Sequence, residues 1–303
     1  MEWWIRFLPG PDRVFLCGAF SGFCRARAGR AGTFVRNDNR GEVLQKNMNI
    51  MSYKFTYRCA ALVLYVCATV QPCCAFEAAD LVKAAINYWR DVSSYSVVDM
   101  TIHRPKWERT MTLRVWTRGE KESLVRVIAP AKDAGNGTLL VDNKMWTFSP
   151  KINRIIKIPS SMMYQSWMGS DFSNNDVARA DDLVYLYTHR LIGTGTREGR
   201  KVFVVEAIPF DSAPVVWGKE VIKIRDDYVL LEHAFYDQDM VLVKKLVALE
   251  IKPMGGKEIA TLERMQKMDK QDEWTQILVK EAGFGINIPA NTFTRSNLRN
   301  PRQ

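Results

Sequence analysis

Apolar residues recur at every second position through most of the chain beyond residue 110. In TMTLRVWTRG (110–119), Met111, Leu113 and Val115 alternate with Thr112, Arg114 and Trp116, and Arg118-Gly119-Glu120 makes a turn. Strict alternation predicts a strand with one buried face. SLVRVIAP returns from that turn, and GTLLVDNKMWTFSP, with Asp142-Asn143 as a hairpin turn, leads into INRIIKIP. RKVFVVEAIP, EVIKIRDD, YVLLEHAFY, MVLVKKLVALEI, KEIATLERMQKM and WTQILVKEAGF are further predicted strands. Turn signals at intervals of roughly 8–14 residues predict one large antiparallel sheet or barrel. Strands do not alternate with long helices, which excludes Rossmann and TIM architectures.

Helical spacing is clear once, in EAADLVKAAINYWRDV, where Leu81, Val82, Ala85, Ile86 and Trp89 share one face of an amphipathic helix. The strand rhythm breaks between 159 and 190. PSSMMYQSWMGSDFSNND is rich in Ser, Asn and Gly, and DDLVYLYTHRL fits a short helix or strand. The whole excursion reads as helix and loop laid over the sheet.

The first 75 residues differ from the rest. They hold all six cysteines, together with ten basic and four acidic residues, so they carry six of the ten excess positive charges. In KFTYRCAALVLYVCATVQPCCA (54–75), Lys54 and Arg58 precede an apolar run of about a dozen residues, a Gln71-Pro72 break and small residues before Ala75. This is the layout of a signal peptide with its cut near Ala75, and it is too short to predict a membrane span. Residues 48–75 are therefore expected to be an export signal, 1–47 a mis-assigned extension, and 76–303 the mature domain. The remaining +4 is dispersed among mixed charges, which excludes a nucleic-acid stripe.

Candidate chemistry is sparse. His103, His189 and His233 lie in separate segments, and the chain has no HExxH, GxSxG, P-loop or Rossmann glycine signature. No metal site, cofactor or catalytic residue is expected, although Ser170 and Asp171 with a histidine would be the composition of a hydrolase. Large soft side chains are abundant instead, among them Trp89, Trp146, Trp167, Trp217, Met163 and Met265. Such residues line deformable apolar pockets as readily as cores.

The run 139–177 carries Trp146-Thr147-Phe148-Ser149-Pro150, then Arg154-Ile155-Ile156-Lys157-Ile158, then Ser166-Trp167-Met168-Gly169-Ser170-Asp171-Phe172-Ser173. This succession resembles the outer-membrane lipoprotein-sorting family, the LolA-like proteins, in their extended branch. IPANTFTRSNL (288–298) and the helix at 77–91 are similar to the family's closing and opening segments. The resemblance implies a mainly-β fold, a half-open β-barrel of about ten or eleven strands whose concave side is covered by helices. It further implies a periplasmic carrier of lipoprotein acyl chains or lipids, loaded by an inner-membrane transporter and unloaded at an outer-membrane acceptor. The alternative within that fold is a non-catalytic adaptor of an inner-membrane transporter. Candidate lipid contacts are then Met111, Leu113, Val115, Trp146, Phe148, Ile156, Ile158, Met163, Trp167, Met168 and Phe172. Gly169, Ser170 and Asp171 shape the motif loop, with Asp171 and Asp176 as turn and cap residues, and 159–172 would form a lid.

Overall fold

Thirteen antiparallel strands form one sheet in the order β6-β5-β4-β3-β2-β1-β13-β12-β11-β10-β9-β8-β7. The structure, a computed structural model, describes residues 77–301, so the expected extension and signal peptide lie outside the described residues. The strands are β1 (Ser93–Arg104), β2 (Trp107–Arg118), β3 (Glu122–Ala129), β4 (Gly137–Val141), β5 (Lys144–Ser149) and β6 (Arg154–Lys157). A second run follows with β7 (Tyr187–Arg197), β8 (Arg200–Pro209), β9 (Lys219–Arg225), β10 (Leu230–Tyr236), β11 (Leu242–Met254), β12 (Lys257–Lys267) and β13 (Trp274–Phe284). Each run is a meander of neighbouring hairpins, and the pairing of β1 with β13 joins them into a mainly-β half-barrel.

The predicted strands appear within a few residues of their expected ends, and the predicted helix is α1 (Ala78–Arg90), which buries Leu81, Val82 and Ala85. The β4–β5 hairpin turns through Asp142 (φ 50°) and Asn143 (φ 60°), the two positive φ values that a type I′ turn requires. Two strands exceed the expected count. β7 emerges from the segment left open between helix and strand. β1 lies upstream of the alternating run read from residue 110, although Val98, Met100 and Ile102 alternate in it with Asp99, Thr101 and His103. A register shift at Val97/Val98 leaves Lys280 of β13 opposite no β1 residue.

Register assigns the two faces. Met111 lies opposite Met100, Met100 opposite Ile277, and Ile277 opposite Glu263, so these four form one row across the inner face. Val98, Met100, Ile102, Met111, Leu113, Val125 and Val127 make the largest core cluster there. On the other face Leu124, Leu139 and Phe148 pack beneath Ile288, Phe293 and Leu298 of the C-terminal segment, which ends in a short helix at Arg295–Arg299.

β6 and β7 are opposite edges of the sheet, so residues 158–186 must run from one edge to the other. This strap crosses the inner face as a 3-10 turn (Ser160–Met162), a small hairpin closed by a Ser166–Ser173 bridge, α2 (Asn174–Ala178) and α3 (Asp182–Tyr185). Its hairpin turns at Met168 (φ 51°) and Gly169 (φ 81°), with Ser170 N–H bonded to the Trp167 carbonyl at 2.9 Å. Met163 and Trp167 are buried in the inner cluster, and Trp167 Nε1 donates to Thr138 Oγ1 at 3.1 Å.

Asp171 fastens the strap at mid-sheet. Its carboxylate accepts from Arg104 Nη1 and Nη2, each at 3.1 Å, and from Thr275 Oγ1 at 2.7 Å, while its own N–H donates to Thr275 Oγ1 at 3.0 Å. Thus Asp171 ties the strap to β1 and β13, a larger role than the turn residue expected of it. Asp176 does cap: it forms a capping box with Ser173 at the start of α2. Breaking a buried charge pair from one side costs about 3–5 kcal/mol. Asp171→Ala should therefore lower unfolding stability by about 3 kcal/mol, and Thr275→Val by about 1 kcal/mol. Denaturant unfolding checks both; an Asp171→Ala loss below about 1 kcal/mol would show that the clasp does not hold the strap.

Candidate functional site

An apolar cavity of about 300 Å³ lies between α1, the second half of the strap from Phe172 on, Tyr187 at the start of β7, and strands β9–β12. α1 contributes Ala85, Ile86, Tyr88 and Trp89, the strap Phe172 and Leu183, the β8–β9 loop Trp217, and the sheet Leu230, Phe235, Leu246, Ile259 and Met265. The amphipathic spacing of α1 explains its part in this wall. Leu81, Val82 and Ala85 bury against β7–β9, which leaves Ile86 and Trp89 along the opening.

Four polar groupings border the apolar wall. Glu220 is buried on β9, and its carboxylate accepts from Tyr187 Oη at 2.5 Å and meets His233 Nε2 at 2.5 Å. Burial, then the Glu220 charge beside it, pushes the Tyr187 phenol well above its ordinary range. Asp176 pairs with Lys244 Nζ at 2.5 Å, and that ammonium sits over the rings of Phe235 and Trp217 at 4.8 and 5.2 Å. Arg90 holds Asp181 at 2.7 Å, tying α1 to the strap. Arg179 and Asp182 approach only to 3.9 Å, and Arg179 Nε and Asp182 Oδ2 are buried without hydrogen-bond partners. Burial raises the Asp182 carboxyl above the usual carboxylate range.

Glu263 is a further ionisable group of the wall, which also carries the polar side chains of Tyr88, Asn175 and Tyr228. It occupies the inner row opposite Ile277 and Ala248, faces the cavity, and has no hydrogen-bond or ion-pair partner among the described residues. Burial alone pushes its carboxyl up to about 7.

The candidate lipid contacts are divided by this arrangement. Met111, Leu113, Val115, Ile158, Met163, Trp167 and Met168 belong to the inner cluster or pack on its margin, beneath and within the strap. Phe172 is the one of them that also lines the cavity. Ile156 is exposed on edge strand β6. Trp146 and Phe148 point to the opposite face, because their neighbour Thr147 shares the face of Thr138 and Val125. There Trp146 borders a more open pocket with Phe293 and Arg295. Gly169 and Ser170 shape the motif loop, and the Ser170 hydroxyl donates to the Trp167 carbonyl at 2.7 Å. The histidines contact Glu108, the Leu183 carbonyl and Glu220, so none of them serves Ser170. Of segment 159–172, expected to be a lid, Met163 and Trp167 are seated in the core while Met162 and Tyr164 are exposed. It is Phe172 and the residues after it, to Tyr187, that border the cavity.

The cavity residues that sequence reasoning missed lie mostly on β9–β12. Glu263 was detectable there: Ile259, Glu263 and Met265 share one phase of KEIATLERMQKM, which puts a carboxyl among inward apolar positions.

The model of a family of uncharacterized proteins matches residues 119–300, more than half of the chain. Solved structures share the fold, among them the following three. A DUF1329 family protein from Desulfovibrio piger is 24% identical with a TM-score of 0.67, over 73% of this chain and 97% of its own. A putative outer membrane lipoprotein-sorting protein domain from Vibrio parahaemolyticus is 21% identical with a TM-score of 0.62, over 72% and 97%. A LolA superfamily protein from Nitrosomonas europaea is 20% identical with a TM-score of 0.61, over 73% and 99%. No curated protein matches.

The raised Glu263 carboxyl has a consequence for stability. Its folded value of about 7 exceeds its ordinary 4.5, so between these the folded state keeps a proton that the unfolded state has lost. This contribution to stability is present in full below about pH 4.5 and is lost as pH rises to about 7, by about 3 kcal/mol at most. Thermal unfolding of the wild type and Glu263→Gln at about pH 5 and pH 8 should show the variant gaining stability relative to wild type at the higher pH. An unchanged difference between them would show that the carboxyl is already solvated.

Proposed function

The chain belongs to a LolA-like family of uncharacterized proteins, and we propose that it is a periplasmic carrier that holds an acyl chain of a lipoprotein or lipid in the cavity under its strap. The observation that carries this reading is the cavity itself. Its wall is built from Trp89, Phe172, Trp217, Phe235, Leu246 and Met265, a surface for which an aliphatic chain is the complementary guest. Each methylene moved from water into such a wall contributes roughly 0.8 kcal/mol, so a chain of eight to ten carbons would bind without polar recognition. At about 300 Å³ the space corresponds to about ten water volumes, which suits one such chain better than two or three.

Release requires a state in which the wall is opened, since apolar burial alone does not distinguish loading from unloading. The ion pairs Arg90–Asp181 and Lys244–Asp176 tie the cavity's roof to α1 and to the sheet. They are the contacts that an inner-membrane loading partner or an outer-membrane acceptor would have to displace. The domain of 76–303 would act in the periplasm after removal of the 48–75 signal.

A second reading, a non-catalytic adaptor of an inner-membrane transporter, draws on exposed Leu191 and Ile192 on edge strand β7. Lipid extraction and mass spectrometry of the purified protein separate the two, because the carrier retains amphiphile and the adaptor is recovered empty. Ile86→Trp, which fills the cavity from α1, should weaken binding of a decyl-chain probe by about tenfold or more while the unfolding transition stays cooperative. Equal binding by that variant would place the chain elsewhere.

A further inference from the structure

The polar groups at the cavity wall specify what kind of head the chain carries. We propose that the cavity selects a neutral amphiphile bearing a hydroxyl, with its tail on the apolar wall and its hydroxyl at Glu263; this rests on the carrier reading above. Glu263 stands in the inner row between Ile277 and Ala248, faces the cavity and has no partner among the described residues. A carboxyl so placed is incomplete without a hydrogen-bond donor. Two further cavity residues leave polar atoms unmatched. Arg179 Nε is a buried donor without an acceptor, and Asp182 Oδ2 a buried acceptor without a donor. A hydroxyl both donates and accepts, so it complements each of these groups.

The same inventory disfavours charged heads. Phosphate and carboxylate need clustered donors, usually guanidinium forks. Here the carboxyls of Glu220, Glu263, Asp176 and Asp182 border the cavity. Of its two guanidiniums, Arg90 is committed to Asp181 and Arg179 stands 3.9 Å from Asp182, so the cavity offers one partly free fork and no cluster of them. An ammonium would have to leave water for an apolar chamber. The carboxyl it would meet holds its proton up to about pH 7, which removes much of the counter-charge. A protonated carboxyl, by contrast, pairs with a hydroxyl as donor and acceptor together.

Trp89 and Trp217 lie in the wall, so their fluorescence reports occupancy directly. The purified protein is titrated at neutral pH with decanol, decylamine, decanoate and decyl phosphate. Decanol should bind about tenfold more tightly than either anion, the worth of one buried hydrogen bond. Glu263→Leu should abolish that preference without loss of tail binding. Glu263→Gln, which keeps a donor and an acceptor, should hold decanol within about threefold of wild type. Tighter binding of decylamine or an anion than of decanol would overturn the head assignment and leave the carrier intact. Equal binding of all four would do the same. Failure of every probe to bind would overturn both.

Discussion

The topology of the sheet imposes one constraint on everything above it. Strand β6 ends at one edge and strand β7 begins at the other, so the connecting strap has to cross the inner face. Asp171 sets where it crosses. With its carboxylate shared between Arg104 on β1 and Thr275 on β13, the strap is held over the centre of the sheet. From there its first half, with Met163 and Trp167, fills the face of β1–β5, and its second half leaves a space beside α1. The core and the cavity are the two sides of one clasp.

Much of this fold was legible in the chain, and the reasons for the gaps are specific. Period-two alternation located β2, β8, β12 and β13 because each buries one face and wets the other. β1 escaped because alternation of apolar residues fills only its second half, Val98 to Ile102, behind the Ser- and Tyr-rich start at Ser93–Ser96. Alternation also assigns a face within a strand but not between strands. Met111 and Trp146 each follow a clear local pattern, yet only the register, through Val125, Thr138 and Thr147, reveals that they point to opposite sides. Pairing across the sheet is a long-range property, and no local pattern encodes it.

The candidate site was less legible for a related reason. The motif SWMGSDFS is dense with unusual residues because a tight hairpin, a buried indole and an ion-pair clasp are compressed into eight positions. Density of motif marks structural constraint here, and the cavity lies next to it. Its wall comes from ordinary strand residues of β9–β12 and from α1, elements far apart in the chain. Glu263 and Glu220 carry a stronger local hint, as carboxyls in the inward phase of otherwise apolar strands. A carboxyl in such a phase is costly to bury unless a hydrogen-bonding partner completes it.

The seam between β1 and β13 shapes how the chain reaches this structure. Each meander is built from hairpins between sequence neighbours, which close quickly. The seam instead brings together segments separated by most of the domain, for example Met100 and Ile277, and loop-closure entropy opposes it until both meanders exist. Asp171 draws on both sides of that seam, through Arg104 and Thr275. Its clasp can therefore close only after the seam has zipped. The seating of the strap, and with it the roof over the cavity, is accordingly contingent on a pairing between the two ends of the domain.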